Sequence, residues 1–290
     1  MKKITLFTLL LFSILTSIVV CNSRCATLGS NLNLRKVFPR KSFLFVRKTS
    51  TFFQCAKIQC KIVHKGTMTG SASVIHHRGN KTFLLTAAHM IWMEPINFMQ
   101  RMLLEANGPL KIVSSYVFTD IRGKKFKLQK IIKSDKATDL AVVQIARTDI
   151  PALLLSEHAP RVKDKLYNIA APTGMFEKGL VLFFEGRYMG ISSKSGISSL
   201  PVALTNIPVA GGSSGSPILN SCGEVVGMVS AVSRRFHHIS ISPTYKQLYN
   251  FLHKHLKPYQ FSMCHPDSGI RAAREAFLNS QKGRSIIDGR

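Results

Sequence analysis

Acidic residues are scarce in this chain of 290 residues. There are 14 Asp+Glu against 40 Lys+Arg, a formal net charge of +26. A surface so poor in acid attracts nucleic acid, anionic lipid or acidic polymer through summed long-range potential, and this bears on partners, not on fold. Cysteine is also sparse. Six residues without CxxC spacing exclude a disulfide-stapled mini-protein and give a structural zinc site little support. Glycine (19) and proline (12) are at ordinary levels, which excludes collagen-like and low-complexity chains. No repeat of solenoid period stands out. HExxH is absent, and the histidines at 64, 76, 77, 237, 238, 253, 255 and 265 read as surface residues; no metal or cofactor is expected. What is present is apolar material: 45% hydrophobic residues and a mean hydropathy of +0.10, enough for a packed core and too much for a disordered basic tail.

Only one run is long and apolar enough to span a membrane. Lys2 and Lys3 precede residues 4–20, the pattern of a signal peptide or N-terminal membrane anchor, so residues 1–22 predict export. In an oxidising compartment Cys55 and Cys60, or Cys222 and Cys264, are candidate pairs, with free buried thiols as the alternative. Residues 23–55 are basic and read as an irregular arm. From residue 56 the texture changes to short runs bounded by glycine and polar clusters. Strands are expected at 58–63, 71–75, 83–87, 111–118, 126–132, 140–145, 166–170, 180–188, 202–207, 217–219 and 225–232, an all-β sandwich or barrel. Residues 90–106, with Met and Leu at helical spacing, predict a helix, as do residues 245–256. A basic tail at 259–290 follows, in which Asp267 or Ser268 would cap a short helix.

Three segments bear the chemistry. In Phe83-Leu84-Leu85-Thr86-Ala87-Ala88-His89, an apolar strand ends in two alanines that leave room around a histidine. In Thr138-Asp139-Leu140-Ala141-Val142, a carboxylate opens an apolar strand and is placed to orient an imidazole. In Gly211-Gly212-Ser213-Ser214-Gly215-Ser216-Pro217, glycines around a serine permit a turn whose N–H groups converge on one spot, as an oxyanion hole requires. Each segment alone is weak. Together they follow the chain order His, Asp, Ser, unlike the orders Asp, His, Ser and Ser, Asp, His of other hydrolases.

These residues resemble a trypsin-like serine protease of chymotrypsin fold, nearest the HtrA-like branch. The matching stretches are Thr86-Ala87-Ala88-His89, Thr138-Asp139-Leu140-Ala141-Val142, Gly-x-Ser-Gly-x-Pro at 212–217 and the Gly223–Gly227 segment. The resemblance covers roughly residues 57–258 and implies two six-stranded antiparallel β-barrels, a short final helix and an active site between the barrels. It implies His89, Asp139 and Ser214 as the catalytic triad, with the N–H groups of Gly212 and Ser214 as the oxyanion hole. Ser213 and Ser216 compete as nucleophiles, and the register favours Ser214. Residues 205–209, with Ile207 and Pro208, fall where the family floors its specificity pocket. They include no acid, so a small-to-medium apolar side chain is expected at the cleavage site. Val229, Ser230 and Ala231 are expected to pair with the substrate backbone.

The chain departs from the family in three places. Ser216 replaces a usual glycine, Ser213 replaces an aspartate, and no Ile-Val-Gly-Gly start exists for that aspartate to pair with. The residues after 258 leave no room for the PDZ module common in this branch. The expected activity is serine endopeptidase, acting on protein or peptide substrates, with non-specific attraction to anionic lipid or polymer and no specific nucleic-acid recognition. The alternative is a catalytically inactive protease-fold binding protein docking on anionic surfaces, which an intact triad argues against.

Overall fold

The computed structural model describes residues 40–56, 59–193, 199–233 and 238–256. Residues 1–22, the 259–290 tail and its expected short helix lie outside these. The chain forms two antiparallel sheets. The first has strand order β5-β4-β1-β2-β3-β7-β6, from β1 (Phe43–Ala56), β2 (Gln59–Arg78), β3 (Lys81–Ala87), β4 (Leu110–Asp120), β5 (Lys125–Lys127), β6 (Lys130–Asp135) and β7 (Leu140–Ala146). The second runs β12-β11-β8-β9-β10-β14-β13, from β8 (Lys165–Ala170), β9 (Leu182–Ser192), β10 (Val202–Thr205), β11 (Pro217–Leu219), β12 (Val225–Met228), β13 (Ala231–Val232) and β14 (Ser240–Pro243).

Each sheet counts seven strands, yet the expectation of six holds. The edge strands β5 and β6 are joined by only Leu128 and Gln129. A linker of two residues reaches less than about 12 Å between its flanking Cα atoms, so opposite edges can be this close only if the sheet rolls up. At the seam the Leu128 N–H donates to Tyr116 of β4 and the Gln129 N–H to Gln144 of β7. The second sheet repeats the device. Its edges β12 and β13 are joined by Val229 and Ser230, whose N–H groups donate to Ser216 and Ile241. The pieces β5 with β6, and β12 with β13, are two halves of a bent strand, which is how the sequence reads at 126–132 and 225–232.

The expected irregular arm at 23–55 is corrected over its structured part: β1 lies in the middle of the first sheet, paired with both β2 and β4. Phe43, Leu44, Phe45 and Val46 are all buried, so the strand lacks the alternation that marks a half-exposed one. Lys48 disguises it further, because a fully buried lysine is rare and reads as surface. Between the tips of β1 and β2, Cys55 and Cys60 face each other in register and form a disulfide. Cys222 is also disulfide-bonded.

The helix expected within 90–106 is present, as two short pieces: α1 (His89–Trp92) and α2 (Phe98–Glu105). Pro95 divides them, since its ring removes a donor and biases the preceding residue away from helix. Asn97 then restarts the helix in a capping box with Gln100. Strand β14 was absent from the sequence reading, being four residues long and ending in Pro243. It leads directly to Thr244, which caps α3 (Tyr245–His255) with Gln247. Leu248, Phe251 and Leu252, spaced at three and four, bury one face of α3.

Candidate active site

The site is assembled where the barrels meet. Strand β3 ends in Ala87, Ala88 follows it, both are fully buried, and His89 is the first residue of α1. Asp139 immediately precedes β7, which pairs with β3, so the histidine and the carboxylate sit at the same end of neighbouring strands. Asp139 Oδ2 lies 2.8 Å from His89 Nδ1, and Oδ1 accepts the His89 backbone N–H at 2.8 Å. The Asp139 carbonyl accepts from the Ala88 N–H at 2.9 Å. These contacts hold Asp139 at φ 56°, a left-handed conformation that costs a non-glycine residue on the order of 1 kcal/mol. A third group reaches Asp139 from the second barrel: Ser230 Oγ donates to Oδ2 at 2.5 Å. The imidazole and carboxylate side chains are each 18% exposed, sheltered but reachable.

The serine turn lies opposite. Among its three serines, Ser213 and Ser216 are fully buried. The Ser213 hydroxyl accepts from the Ala210 N–H, and the Ser216 hydroxyl from Asn168 Nδ2 at 2.8 Å. Ser214 alone is partly exposed. Its hydroxyl donates to the Ser230 carbonyl at 3.2 Å and has no hydrogen bond to His89. Gly212 sits at φ 95°, where a Cβ would come within 2.4 Å of the Ala171 carbonyl oxygen. At Gly215, φ 88°, it would come within 2.1 Å of the Ser71 carbonyl oxygen. Only glycine fits either position. The N–H groups of Gly212 and Ser214 meet no protein acceptor among the described residues. The first barrel braces the turn: Ser71 N–H donates to the Ser214 carbonyl at 2.8 Å and Ser71 Oγ to that of Gly212 at 2.9 Å.

The substrate-side residues divide. Ser230 and Ala231 line a cleft of about 580 Å³ that also holds His89 and Asp139. Ile207 and Val229 instead lie in the second barrel's core, against Leu166, Tyr188 and Ile218. Pro208 is exposed, and neither it nor Ser214 is among the residues that line that cleft. The cleft walls include Met68, Trp92, Met93, Leu200 and Ile241, and Asp139 is the only acid lining it among the described residues. Trp92 and Met93 are held in place by Lys48. Its Nζ donates to the carbonyls of Ile91 (3.0 Å) and Met93 (2.5 Å) and to Glu94 Oε1 (3.2 Å). Burial pushes the Lys48 ammonium below its ordinary pKa, and Glu94 opposes the shift. Tyr116, whose hydroxyl donates to the same Ile91 carbonyl, is pushed up to about 12, first by burial and then by Glu94. Neither this brace nor the Ser230 hydroxyl bond was read from the sequence. A serine after an apolar strand has no local signature for a carboxylate on another barrel.

Two closed antiparallel barrels, with a His–Asp pair on one and a glycine-flanked serine on the other, define a hydrolase class by geometry. A family profile described as trypsin-like peptidase domain matches residues 70–228. The chain belongs to the trypsin-like peptidase family. It is 30% identical over 125 residues to a probable periplasmic serine endoprotease DegP-like of Hahella chejuensis, covering 41% of this chain and 25% of that protein. To the serine protease Do-like HtrA of Bacillus subtilis it is 26% identical over 169 residues, 56% of this chain and 33% of that one. The match thus spans a quarter to a third of these relatives. The solved structure of HtrA-type protease AlgW with decapeptide superposes with a TM-score of 0.57 at 17% identity, over 78% of this chain and 67% of that one.

Proposed function

We propose that this chain is a serine endopeptidase in which His89, Asp139 and Ser214 form a charge-coupled triad. The observation that bears most weight is the His89–Asp139 pair, hydrogen-bonded at 2.8 Å and tied through Ser230 to the one accessible serine of the glycine turn: the Ser230 hydroxyl donates to Asp139 and its carbonyl accepts from Ser214. Substrate entering the cleft draws the Ser214 hydroxyl from the Ser230 carbonyl toward His89 Nε2, since catalytic hydrogen bonds tighten in the complex. Ser214 Oγ then attacks the scissile carbonyl carbon while Nε2 takes its proton. Asp139 fixes the tautomer with the proton on Nδ1 and stabilises the imidazolium. The oxyanion is received by the N–H groups of Gly212 and Ser214, and one such donor is worth roughly 10²–10³ in turnover. Collapse breaks the C–N bond, and His89 hands its proton to the leaving amine. Water, deprotonated by the same imidazole, releases the acyl group and restores the serine.

The substrate is a polypeptide bound as an added strand. Ala231–Val232 pairs only with β14 among the described strands, which leaves its other edge for a peptide backbone. The apolar cleft walls favour apolar side chains near the scissile bond. The relatives named periplasmic, the apolar residues 4–20 and the disulfides at Cys55–Cys60 and Cys222 together favour action outside the cytosol. Incubation with an unfolded protein substrate tests the reading. The wild type is expected to cut it and Ser214→Ala to leave it intact; an inactive wild type, or a Ser214→Ala chain that still cuts, would sink the assignment.

A further inference from the structure

The outer face of the first barrel carries a cationic groove. Along β3 and β7, Thr82, Leu84, Val143 and Ile145 are fully buried and point into the barrel. Side chains alternate along a strand, so Lys81, Phe83 and Gln144 point outward. Residues paired directly across strands share a face. Arg78 pairs with Lys81 across the β2–β3 hairpin, Phe83 pairs with Gln144, and Lys130 of β6 pairs with the same Gln144. The register therefore gathers Arg78, Lys81 and Lys130 around Phe83 and Gln144, and all five line a cavity of about 680 Å³. It shares no lining residue with the cleft at His89.

The floor of the groove is fixed and its rim is charged. Phe83 lies under the His76 ring, 5.8 Å between centroids, and Gln144 is only 8% exposed. Gln144 Nε2 donates to Gln129 Oε1 at 3.1 Å. Gln129 also lines the cavity, and its own amide N–H groups meet no protein acceptor among the described residues. Arg78, Lys81 and Lys130 are exposed and make no ion pair among the described residues. No acidic residue lines the cavity. The uncompensated charge is felt nearby: the His76 imidazole is pushed below its ordinary pKa, by burial first and then by His77 and Arg78. A guanidinium, two ammonium groups and an amide, with no carboxylate among them, form a site for an anion.

The spacing of the cations indicates which anion. Arg78 and Lys81 face each other at about 5 Å between Cα atoms. Lys130 lies two strands away from Lys81, roughly 10 Å at about 4.8 Å per strand. A single phosphate drawn to the Arg78–Lys81 pair leaves Lys130 unanswered, whereas a short chain of phosphates meets all three, with the guanidinium fork matched to two oxygens of one group. We propose that this groove binds an oligophosphate, a ligand with two or three neighbouring phosphate groups, through Arg78, Lys81, Lys130 and the Gln129 amide. Such binding needs no turnover at Ser214 and is measured without a peptidase assay.

The test is isothermal titration calorimetry of the full-length protein with tripolyphosphate, at an ionic strength where the Debye length is about 8 Å and diffuse attraction is screened. One saturable equivalent is expected. Lys81→Gln/Lys130→Gln is expected to lower the affinity roughly tenfold or more, the effect of losing at least one charge-assisted contact. Lys65→Gln/Lys111→Gln removes the same charge elsewhere on the barrel and is expected to change it less than about twofold. Cooperative melts show that both variants are folded. Inorganic phosphate is expected to bind at least roughly tenfold more weakly than tripolyphosphate, having lost contact with one end of the groove. A nucleoside triphosphate distinguishes the sources: displacement of tripolyphosphate at equal concentration assigns the groove to the phosphates alone, and displacement at a much lower concentration assigns it to a nucleotide. Absence of binding, many unsaturated equivalents, equal weakening in the two lysine variants, or inorganic phosphate binding as tightly as tripolyphosphate overturns the proposal.

Discussion

The histidine side and the serine side of the site are built on different principles. On the histidine side, side chains do the holding. Asp139 receives the His89 ring, the His89 N–H and the Ser230 hydroxyl, all at 2.5–2.8 Å. On the serine side the backbone does the holding. Gly212 and Gly215 take conformations closed to other residues, Ser71 grips two carbonyls, and the Ser214 hydroxyl is left with one long bond of 3.2 Å. The difference suits the proposed division of labour. A general base needs one fixed tautomer before substrate arrives, whereas a nucleophile must be free to swing. Electrostatic stabilisation requires donors fixed in advance, and backbone donors set by glycine geometry provide that without side-chain entropy.

This contrast can be broken at its strongest point first. Asp139→Asn keeps the shape of the histidine side but offers the imidazole the wrong tautomer, and turnover on a peptide substrate is expected to fall by about 10⁴. A loss below tenfold would mean that the pair does not act as proposed. Next is the brace behind the cleft wall. Lys48→Ala leaves Glu94 without its cation, the Met93 carbonyl without this donor and the Ile91 carbonyl with Tyr116 alone, so stability is expected to drop by about 3 kcal/mol in denaturant unfolding. An unchanged midpoint would show that the ammonium is replaceable there by water. Smallest is Ser230→Ala, which removes one hydroxyl bond to Asp139 while retaining the Ser230 carbonyl. Here kcat is expected to fall about tenfold, the effect of losing one charge-assisted bond, with KM nearly unchanged. A rise in KM alone would return Ser230 to a substrate-pairing role.

The chemistry of the site was more legible than its supports. His89, Asp139 and Ser214 stand in short strand-end patterns that local sequence displays, and the glycines around Ser214 announce an unusual turn. The bent strands at 126–132 and 225–232 were also readable, though their function as seams was not, since closure is a relation between distant edges. Lys48 hid β1 because a buried lysine satisfied by three acceptors looks in sequence like any surface lysine. Ile207 was placed at the cleft and belongs to the core, because an apolar residue beside a site differs from one beneath it only by which way a strand faces. Ser230 was assigned to the substrate through its backbone, and its hydroxyl finds a partner ninety-one positions away.

The most direct measurement is covalent. A fluorophosphonate probe should label the full-length protein at one residue, mapped by peptide mass to Ser214, with labelling lost in Ser214→Ala and strongly slowed in Asp139→Asn. Labelling at Ser213 or Ser216, labelling that persists in Ser214→Ala, or none in a well-folded wild type would contradict the account.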